Sequence, residues 1–133
     1  KIEQALWVTK GKTIAIWGLA FKPDTDDMRN APSIPVINKL HEDGATIQAY
    51  DPVATETARE VLSKKVRYQK DKYAALKNAD ALVIITDWDE FKDPDLKKIR
   101  SSLNSPIIID GRNIFDPKKM EKEGFVYHSV GRG

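Results

Sequence analysis

Short runs of consecutive apolar residues recur along the chain, and polar or turn-forming residues close them. The most convincing run extends from Ala81 to Ile85, and the run from Thr13 to Trp17 ends at Gly18. Uninterrupted apolar runs of this length are typical of parallel strands that are buried on both faces. The pattern predicts strands at residues 13–17, 46–50, 66–68, 81–85, 106–110 and 125–127.

Between the predicted strands, apolar residues recur at the spacing of a helix. Ser33 and Pro35 begin one such helix, and Gly44 ends it. Ile37 and Leu40 share its inward face. Further helical segments are predicted at residues 54–62, 71–78, 96–103 and 117–123, and Trp88 and Phe91 begin an irregular or helical turn.

The two ends of the chain differ from the rest. In residues 1–10, Ile2, Ala5, Leu6 and Thr9 recur at helical spacing until Gly11, and this segment looks like a helix that is entered partway. For that reason we treat the chain, which begins at Lys1, as a fragment. Residues 11–133 then form one domain, and the segment from Ser129 to Gly133 is expected to be a loose tail.

Strands and helices alternate along this domain, and the strands are apolar throughout. This order predicts an α/β fold, doubly wound, with a mainly parallel sheet and helices on both faces, similar to a Rossmann fold. Ligands of such folds bind beyond the carboxyl ends of the strands. The informative segments are therefore residues 18–29, 50–52, 86–88 and 110–113.

Composition removes several classes of function. A chain of 133 residues with 41% apolar and 32% charged residues suits one globular domain. The net charge is only +2 and the lysines are mixed with acids, so no basic stripe indicates nucleic acid binding. No apolar run has membrane-spanning length. The absence of cysteine excludes a disulfide, a thiolate metal site and a cysteine nucleophile, and is compatible with a cytoplasmic location.

The loop after the first strand is the first candidate site. It contains Gly18 alone, so it matches neither G-x-G-x-x-G nor a P-loop. It does offer Lys22 and Arg29 as cations for a phosphate, and Phe21 as a flat apolar face. The alternative is a solvated loop whose charges pair among Asp24, Asp26, Asp27 and Arg29.

The turn Asp110-Gly111-Arg112-Asn113 is the second candidate. Arg112 follows a buried strand and would project at the ligand edge, where it could bind a phosphate, a ribose hydroxyl or a base edge. The alternative is an ordinary turn in which Arg112 pairs with Asp110 or Asp116.

The remaining strand ends favour structural roles. Asp51-Pro52 could hold a ribose, but without the glycines of a dinucleotide loop it indicates a strand end that leads into a helix. Thr86 to Asp89 is interpreted as a strand end with a helix cap. The two histidines are distant in sequence and indicate no metal site, and no catalytic triad or carboxylate pair is evident.

Residues 18–33 (GLAFKPDTDDMRNAPS) closely resemble the signature of the UDP-glucose/GDP-mannose dehydrogenase family, in its C-terminal domain. Three further segments follow in the family's order, namely residues 50–52, 79–88 and 110–113, so the resemblance covers nearly the whole chain. One departure is Asp87, where the family commonly has glutamate.

The resemblance implies an enzyme that oxidises the C6 alcohol of a nucleotide-sugar to a carboxylate with NAD as oxidant. The family's NAD-binding domain and catalytic cysteine would lie upstream, so this chain would hold no catalytic residue and would be inactive alone. Its partners would be a UDP-sugar and NAD, the latter bound mainly by the absent domain. The full-length enzyme would be a homodimer or a higher oligomer, and residues 1–10 would be the tail of its central helix.

Carried over by position, the resemblance implies that Phe21, Lys22 and Arg112 contact the UDP-sugar and that Arg29 faces NAD. Residues 25–33 are most similar to the UDP-glucose branch, with UDP-N-acetylhexosamine and GDP-mannose as alternatives. A non-catalytic nucleotide-binding module and a structural or oligomerisation domain remain rival interpretations.

Overall fold

The computed structural model describes residues 11–20, 22, 27–29, 31–62 and 64–129. Over these residues the chain forms strands β1 (Thr13–Trp17), β2 (Thr46–Tyr50), β3 (Arg67–Tyr68), β4 (Ala81–Ile84), β5 (Ile107–Asp110) and β6 (Val126–Ser129). Its helices are α1 (Ser33–Glu42), α2 (Thr55–Val61), α3 (Asp89–Lys92), α4 (Leu96–Ser102) and α5 (Pro117–Lys122). The predicted helix at residues 1–10 lies outside the described residues.

The strands form one sheet in the order β3-β2-β1-β4-β5-β6, and every neighbouring pair is parallel. The chain moves outward from β1 to β3, then returns to place β4 on the other side of β1. This is the strand order of dinucleotide-binding folds, in which the crevice for ligands opens where the order reverses. The predicted α/β fold is confirmed, and the reversal lies between β1 and β4.

The alternation of side chains along each strand builds two cores. In β1, Ile14 and Ile16 join the core under α1 and α2, while Ala15 and Trp17 join the core under α3, α4 and α5. All four side chains are fully buried. Helices therefore cover both faces of the sheet, which explains why the central strands are apolar at every position.

Two predicted elements differ from the structure. The helix expected at residues 71–78 is only a 3₁₀ turn at Ala74–Leu76, and Asn78 then adopts a left-handed conformation with φ of 60° that no helix continues through. Ser129, expected in a loose tail, is buried and pairs with Asp110 at the end of β6. The parallel pairing of β6 with β5 extends to Ser129 and orders it, and the sequence pattern gave no sign of this pairing.

The loop after β1 is fixed by side chains from three other segments. Thr86 Oγ1 donates to the carbonyl of Ala20 at 2.6 Å, and Ser33 Oγ donates to the carbonyl of Leu19 at 2.6 Å. The Asp51 carboxylate accepts from the N–H groups of Leu19 and Ala20 at 2.8 and 3.3 Å. The backbone that leads into residue 21 is therefore held at both its donors and its acceptors.

Asp51 also organises its own strand end. Its second oxygen accepts from the N–H groups of Val53 and Ala54 at 2.9 and 2.7 Å, just before α2 begins. The side chain is buried, and four N–H donors fill its acceptor sites. The interpretation of Asp51 as a strand end that leads into a helix is confirmed, and the same carboxylate ties β2 to the β1 loop.

Gly18 allows β1 and β4 to approach each other closely. Its φ is +94°, and an added Cβ would lie 2.4 Å from Thr86 Cβ and 2.6 Å from the Thr86 backbone nitrogen. Since one of these neighbours is backbone, no change of rotamer can make room. A side chain at this position would separate the two strands that flank the crevice.

We expect Gly18→Ala to lower the free energy of unfolding by about 3 kcal/mol or more, because left-handed strain adds to a clash with backbone. The matched control is Gly11→Ala, where φ is +78° but nothing lies within 4 Å of the added Cβ. That control should lose only about 1–2 kcal/mol. Urea unfolding of both variants measures the difference, and equal losses would contradict the close approach.

We expect Asp51→Asn to lose about 3 kcal/mol of unfolding free energy, because the amide group would turn a donor toward buried N–H groups. Asp95→Asn is the control: Asp95 is exposed and caps α4 through the N–H groups of Lys97 and Lys98, a role that asparagine fills equally well. Urea unfolding compares them, and amide exchange at Leu19 and Ala20 should accelerate only in Asp51→Asn. Unchanged exchange at those two amides would refute the proposed link.

Candidate functional site

The carboxyl ends of β1, β4 and β5 bring two predicted site segments to one edge of the sheet. The β1 loop leads to Lys22, and the turn after β5 carries Arg112. Strand β4 lies between them, so β1 and β5 are separated by about 10 Å, twice the spacing of paired strands. The predicted meeting of these segments at the ligand edge is therefore present in the fold.

The turn that carries Arg112 is built around the Asp110 carboxylate. Its Oδ1 accepts from the N–H of Arg112 at 2.9 Å, and its Oδ2 accepts from the N–H groups of Ile114 and Phe115 at 2.8 and 3.1 Å. The hydroxyl of Tyr127, in β6, donates to the same Oδ2 at 2.6 Å. Asp110 is fully buried, so these donors replace its water and fix the turn.

Two further residues shape the turn. Asn113 adopts a left-handed conformation with φ of 57°, which asparagine tolerates better than most residues. At Gly111 an added Cβ would lie 2.9 Å from the carbonyl oxygen of Ile84, to which the Gly111 N–H donates at 2.8 Å. The glycine is therefore needed because the turn packs directly on the end of β4.

The guanidinium of Arg112 reaches across to the strand end of β4. Its Nη2 lies 3.4 Å from Asp87 Oδ1, and the two side chains are 35% and 31% exposed. The alternative pairing that the sequence allowed, with Asp110 or Asp116, is not the ion pair observed, because the Asp110 carboxylate is occupied by backbone donors and Tyr127. Arg112 keeps solvent access at the edge where a ligand would bind.

The expected helix cap at residues 86–89 is wrong. Helix α3 has Trp88 at its N-cap position and no side-chain capping bond. Thr86 is instead committed to Ala20, and Asp87 to Arg112. Trp88 and Phe91 are buried in the core.

Helix α3, which follows Asp87 and Trp88, is held by polar contacts from Tyr50 and Lys72. Tyr50 donates from its hydroxyl to the Glu90 carboxylate, at 3.1 and 3.2 Å from its two oxygens. Lys72 Nζ donates to the backbone carbonyl of Glu90 at 2.7 Å. Burial, reinforced by the nearby charge of Glu90, raises the pKa of Tyr50, so the phenol stays protonated and continues to donate. The segment that follows Asp87 is thereby held in place.

The remaining predicted site residues lie in the β1 loop. Lys22 is exposed, two residues after the fixed Ala20. Phe21 lies outside the described residues, as do Asp24 and Asp26. The structure therefore places one cation of this loop at the edge of the sheet and leaves the apolar contact of Phe21 as a prediction.

Arg29 is highly exposed and forms a local pair with Asp27. Its Nε and Nη2 lie 3.0 and 2.9 Å from the two Asp27 oxygens, and its backbone N–H donates to the same carboxylate at 2.9 Å. These hydrogen bonds lower the pKa of Asp27 to about 2. This is one of the pairings that the solvated-loop alternative predicted, and it occupies two of the guanidinium N–H donors.

The β1 and β2 ends do not fit a primary NAD site. In a dinucleotide fold the acid after β2 holds a ribose, whereas Asp51 is buried and filled by four N–H groups. The described residues contain no group of three or more His, Cys, Asp and Glu side chains that could hold a metal ion. None of the described helices has the length and apolar character needed to cross a membrane.

Sequence reasoning missed Asp87 and Tyr127 as organisers of the Arg112 turn. The departure from glutamate at residue 87 was the only local signal for Asp87, and it concerned family resemblance rather than geometry. Nothing in the sequence near Tyr127 indicated its bond to Asp110, because the two residues meet only through the pairing of β5 with β6.

Comparison with known proteins agrees with this geometry. Residues 15–117 match the family model described as "UDP-glucose/GDP-mannose dehydrogenase family, UDP binding domain". The curated UDP-glucose 6-dehydrogenase TuaD of Bacillus subtilis is 45% identical over 132 residues, which cover 99% of this chain and 29% of that protein. The chain thus spans less than a third of the length of the curated relatives it matches.

Solved structures show the same fold. A UDP-glucose dehydrogenase from Pyrobaculum islandicum superposes with a TM-score of 0.82 at 32% identity, covering 98% of this chain and 28% of that one. A UDP-D-ManNAc dehydrogenase from Pyrococcus horikoshii superposes with a TM-score of 0.76 at 32% identity, covering 98% and 28%. The matched strands, the sheet edge that they form and the family model lead to one assignment: the chain belongs to the UDP-glucose/GDP-mannose dehydrogenase family, in its UDP-binding domain.

Proposed function

We propose that this chain binds the UDP part of a nucleotide-sugar at the carboxyl edge of β1, β4 and β5, as a domain of an NAD-dependent UDP-glucose 6-dehydrogenase. The observation that carries the proposal is the placement of Arg112, half-exposed on a rigid turn at the strand edge, within a region that matches the family's UDP-binding domain. Lys22, which is exposed two residues after the anchored Ala20, supplies a second cation.

The chemistry of a diphosphate suits this arrangement. Its non-bridging oxygens carry negative charge that needs cations, and a guanidinium offers several N–H groups in a planar fork. The turn after β5 is fixed by buried hydrogen bonds, so Arg112 loses little backbone freedom when it binds. Phe21 would add apolar contact beside Lys22, as the family resemblance implies.

The catalytic steps belong to other parts of the proposed full-length enzyme. The cysteine that would form a covalent adduct with the sugar, and the loop that would hold most of NAD, have no counterpart at the described strand ends. In this proposal the chain contributes binding and water exclusion, and Arg29 approaches NAD from across the cleft between domains. The isolated chain would then bind without reacting.

We propose UDP-glucose as the first candidate substrate, because TuaD, which is 45% identical over nearly the whole chain, is a UDP-glucose 6-dehydrogenase. The Pyrococcus horikoshii relative carries the name of a UDP-D-ManNAc dehydrogenase at 32% identity, so a UDP-N-acetylhexosamine is the second candidate. Both candidates share the uridine diphosphate, and only the sugar differs. The test of the site therefore uses UDP itself.

The binding site is tested by an amide NMR titration of the chain with UDP, using GDP as the control. We expect shifts at Lys22 and at residues 111–113 with UDP and few with GDP. Arg112→Ala should weaken UDP binding by about 10- to 100-fold, because a hydrogen bond to a charged group is worth about 1.5–3 kcal/mol. Arg100→Ala is the matched control. Arg100 is also an exposed arginine, but it lies beside Gly124, at the amino end of β6 and not at the carboxyl edge of the strands.

Unchanged UDP affinity in Arg112→Ala would remove Arg112 from the site. Shifts of equal size with GDP would show that the base is not read by this chain. If UDP causes no shift at millimolar concentration, the self-sufficient site proposed here is wrong.

The role of Arg29 is tested in the full-length protein. Arg29→Ala should raise the KM for NAD by about tenfold, with little change in the KM for the UDP-sugar, because it removes a phosphate-binding fork from the cofactor side. Arg100→Ala again provides the control for loss of an exposed arginine. An effect confined to the UDP-sugar would move Arg29 to the substrate side of the cleft.

A further inference from the structure

The ion pair between Arg112 and Asp87 leaves both partners available to a ligand. Asp87 Oδ1 approaches only Nη2, at 3.4 Å, and each side chain is about one third exposed. A guanidinium has five N–H donors, so the contact leaves most of them for an incoming anion. An anion bound to Arg112 would therefore share the guanidinium with the Asp87 carboxylate.

The position of Asp87 is fixed from both sides. Thr86 before it is fully buried and donates to the carbonyl of Ala20 at 2.6 Å. Trp88 after it is buried, and Glu90 in α3 is held by Tyr50 and Lys72. The backbone on either side of Asp87 is therefore held, and the carboxylate stays within side-chain reach of Arg112 when a ligand arrives.

The carboxylate of Asp87 does not serve the helix that follows it. An acid just before a helix usually caps the first N–H groups, but α3 has no side-chain cap. The hydrogen bond of the Asp87 side chain goes instead to Arg112. Its charge is therefore placed beside the proposed anion site rather than used to stabilise local structure.

We infer that Asp87 is a specificity-determining residue that selects a nucleoside diphosphate diester, such as a nucleotide-sugar, over the free nucleoside diphosphate. This inference rests on the proposed UDP site. A diphosphate esterified at both ends lacks the ionisable terminal phosphate, whereas the terminal group of free UDP carries close to one further negative charge above pH 7. Asp87 repels that further charge while Arg112 still binds the diphosphate common to both ligands.

The size of the effect follows from Coulomb's law. A ligand oxygen on the far side of the guanidinium lies roughly 6 Å from the carboxylate, where one extra unit charge changes affinity about threefold in water-like surroundings and by more where solvent is excluded. The repulsion weakens with added salt because the pair is partly exposed. Discrimination by Asp87 should therefore be greatest at low ionic strength.

The experiment is calorimetric titration of the chain with UDP-glucose and with UDP at pH 7.5 and low salt. The readout is the ratio of the two dissociation constants, which is insensitive to a general loss of stability. Asp87→Asn should tighten UDP relative to UDP-glucose by about threefold or more. Asp87→Glu keeps the charge and should keep the wild-type ratio.

Asp89→Asn is the matched control. It removes the same charge two residues further on, from a side chain that is 99% exposed and paired with Lys92 instead of Arg112. Its ratio should equal that of the wild type. Amide spectra of all variants verify that the sheet is intact.

The outcomes separate this inference from the function on which it rests. If both ligands bind and Asp87→Asn leaves the ratio unchanged, the inference is overturned and the UDP site stands. An equal loss of both ligands would also overturn it, since Asp87 would then only orient Arg112. If the wild-type chain binds neither ligand, the proposed site and the inference both fail.

Discussion

The buried Asp51 carboxylate is the contact on which the site geometry depends. It accepts two N–H groups from the β1 loop and two from the start of α2, so one side chain joins the ends of neighbouring strands. Burying a carboxylate is costly unless its acceptor sites are filled, and here backbone donors fill them without any counter-cation. The loop that leads to Lys22 follows from this arrangement.

Asp110, at the end of β5, is satisfied in the same way three strands away from β2. Its oxygens accept from three backbone N–H groups and from Tyr127, and the turn that results carries Arg112. Both buried acids thus bind backbone and leave the long cationic side chains to the solvent edge. These two acids shape loops and turns, whereas Asp87 stays beside the cation Arg112.

Sequence patterns predicted most of the fold because the strands are buried on both faces and therefore appear as unbroken apolar runs. The helix at residues 71–78 was overestimated because its composition is helical while Asn78 turns left-handed to lead into β4. Arg112 was predicted as a site residue because it follows a buried strand, which is a local signal. Its partner Asp87, and the bond from Tyr127 to Asp110, depend on which strands become neighbours, and periodicity carries no information about that.

The close packing of Gly18 against Thr86 closes the space between the ends of β1 and β4. Since not even a methyl group fits between these residues, no part of a ligand can sink between β1 and β4 at this level. A ligand at this edge therefore lies above the level of Gly18 and Thr86. Arg112, the cation that would meet it, is about one third exposed, so dissolved ions weaken its attraction for an anion and the concentration of salt would govern how firmly this chain alone retains one.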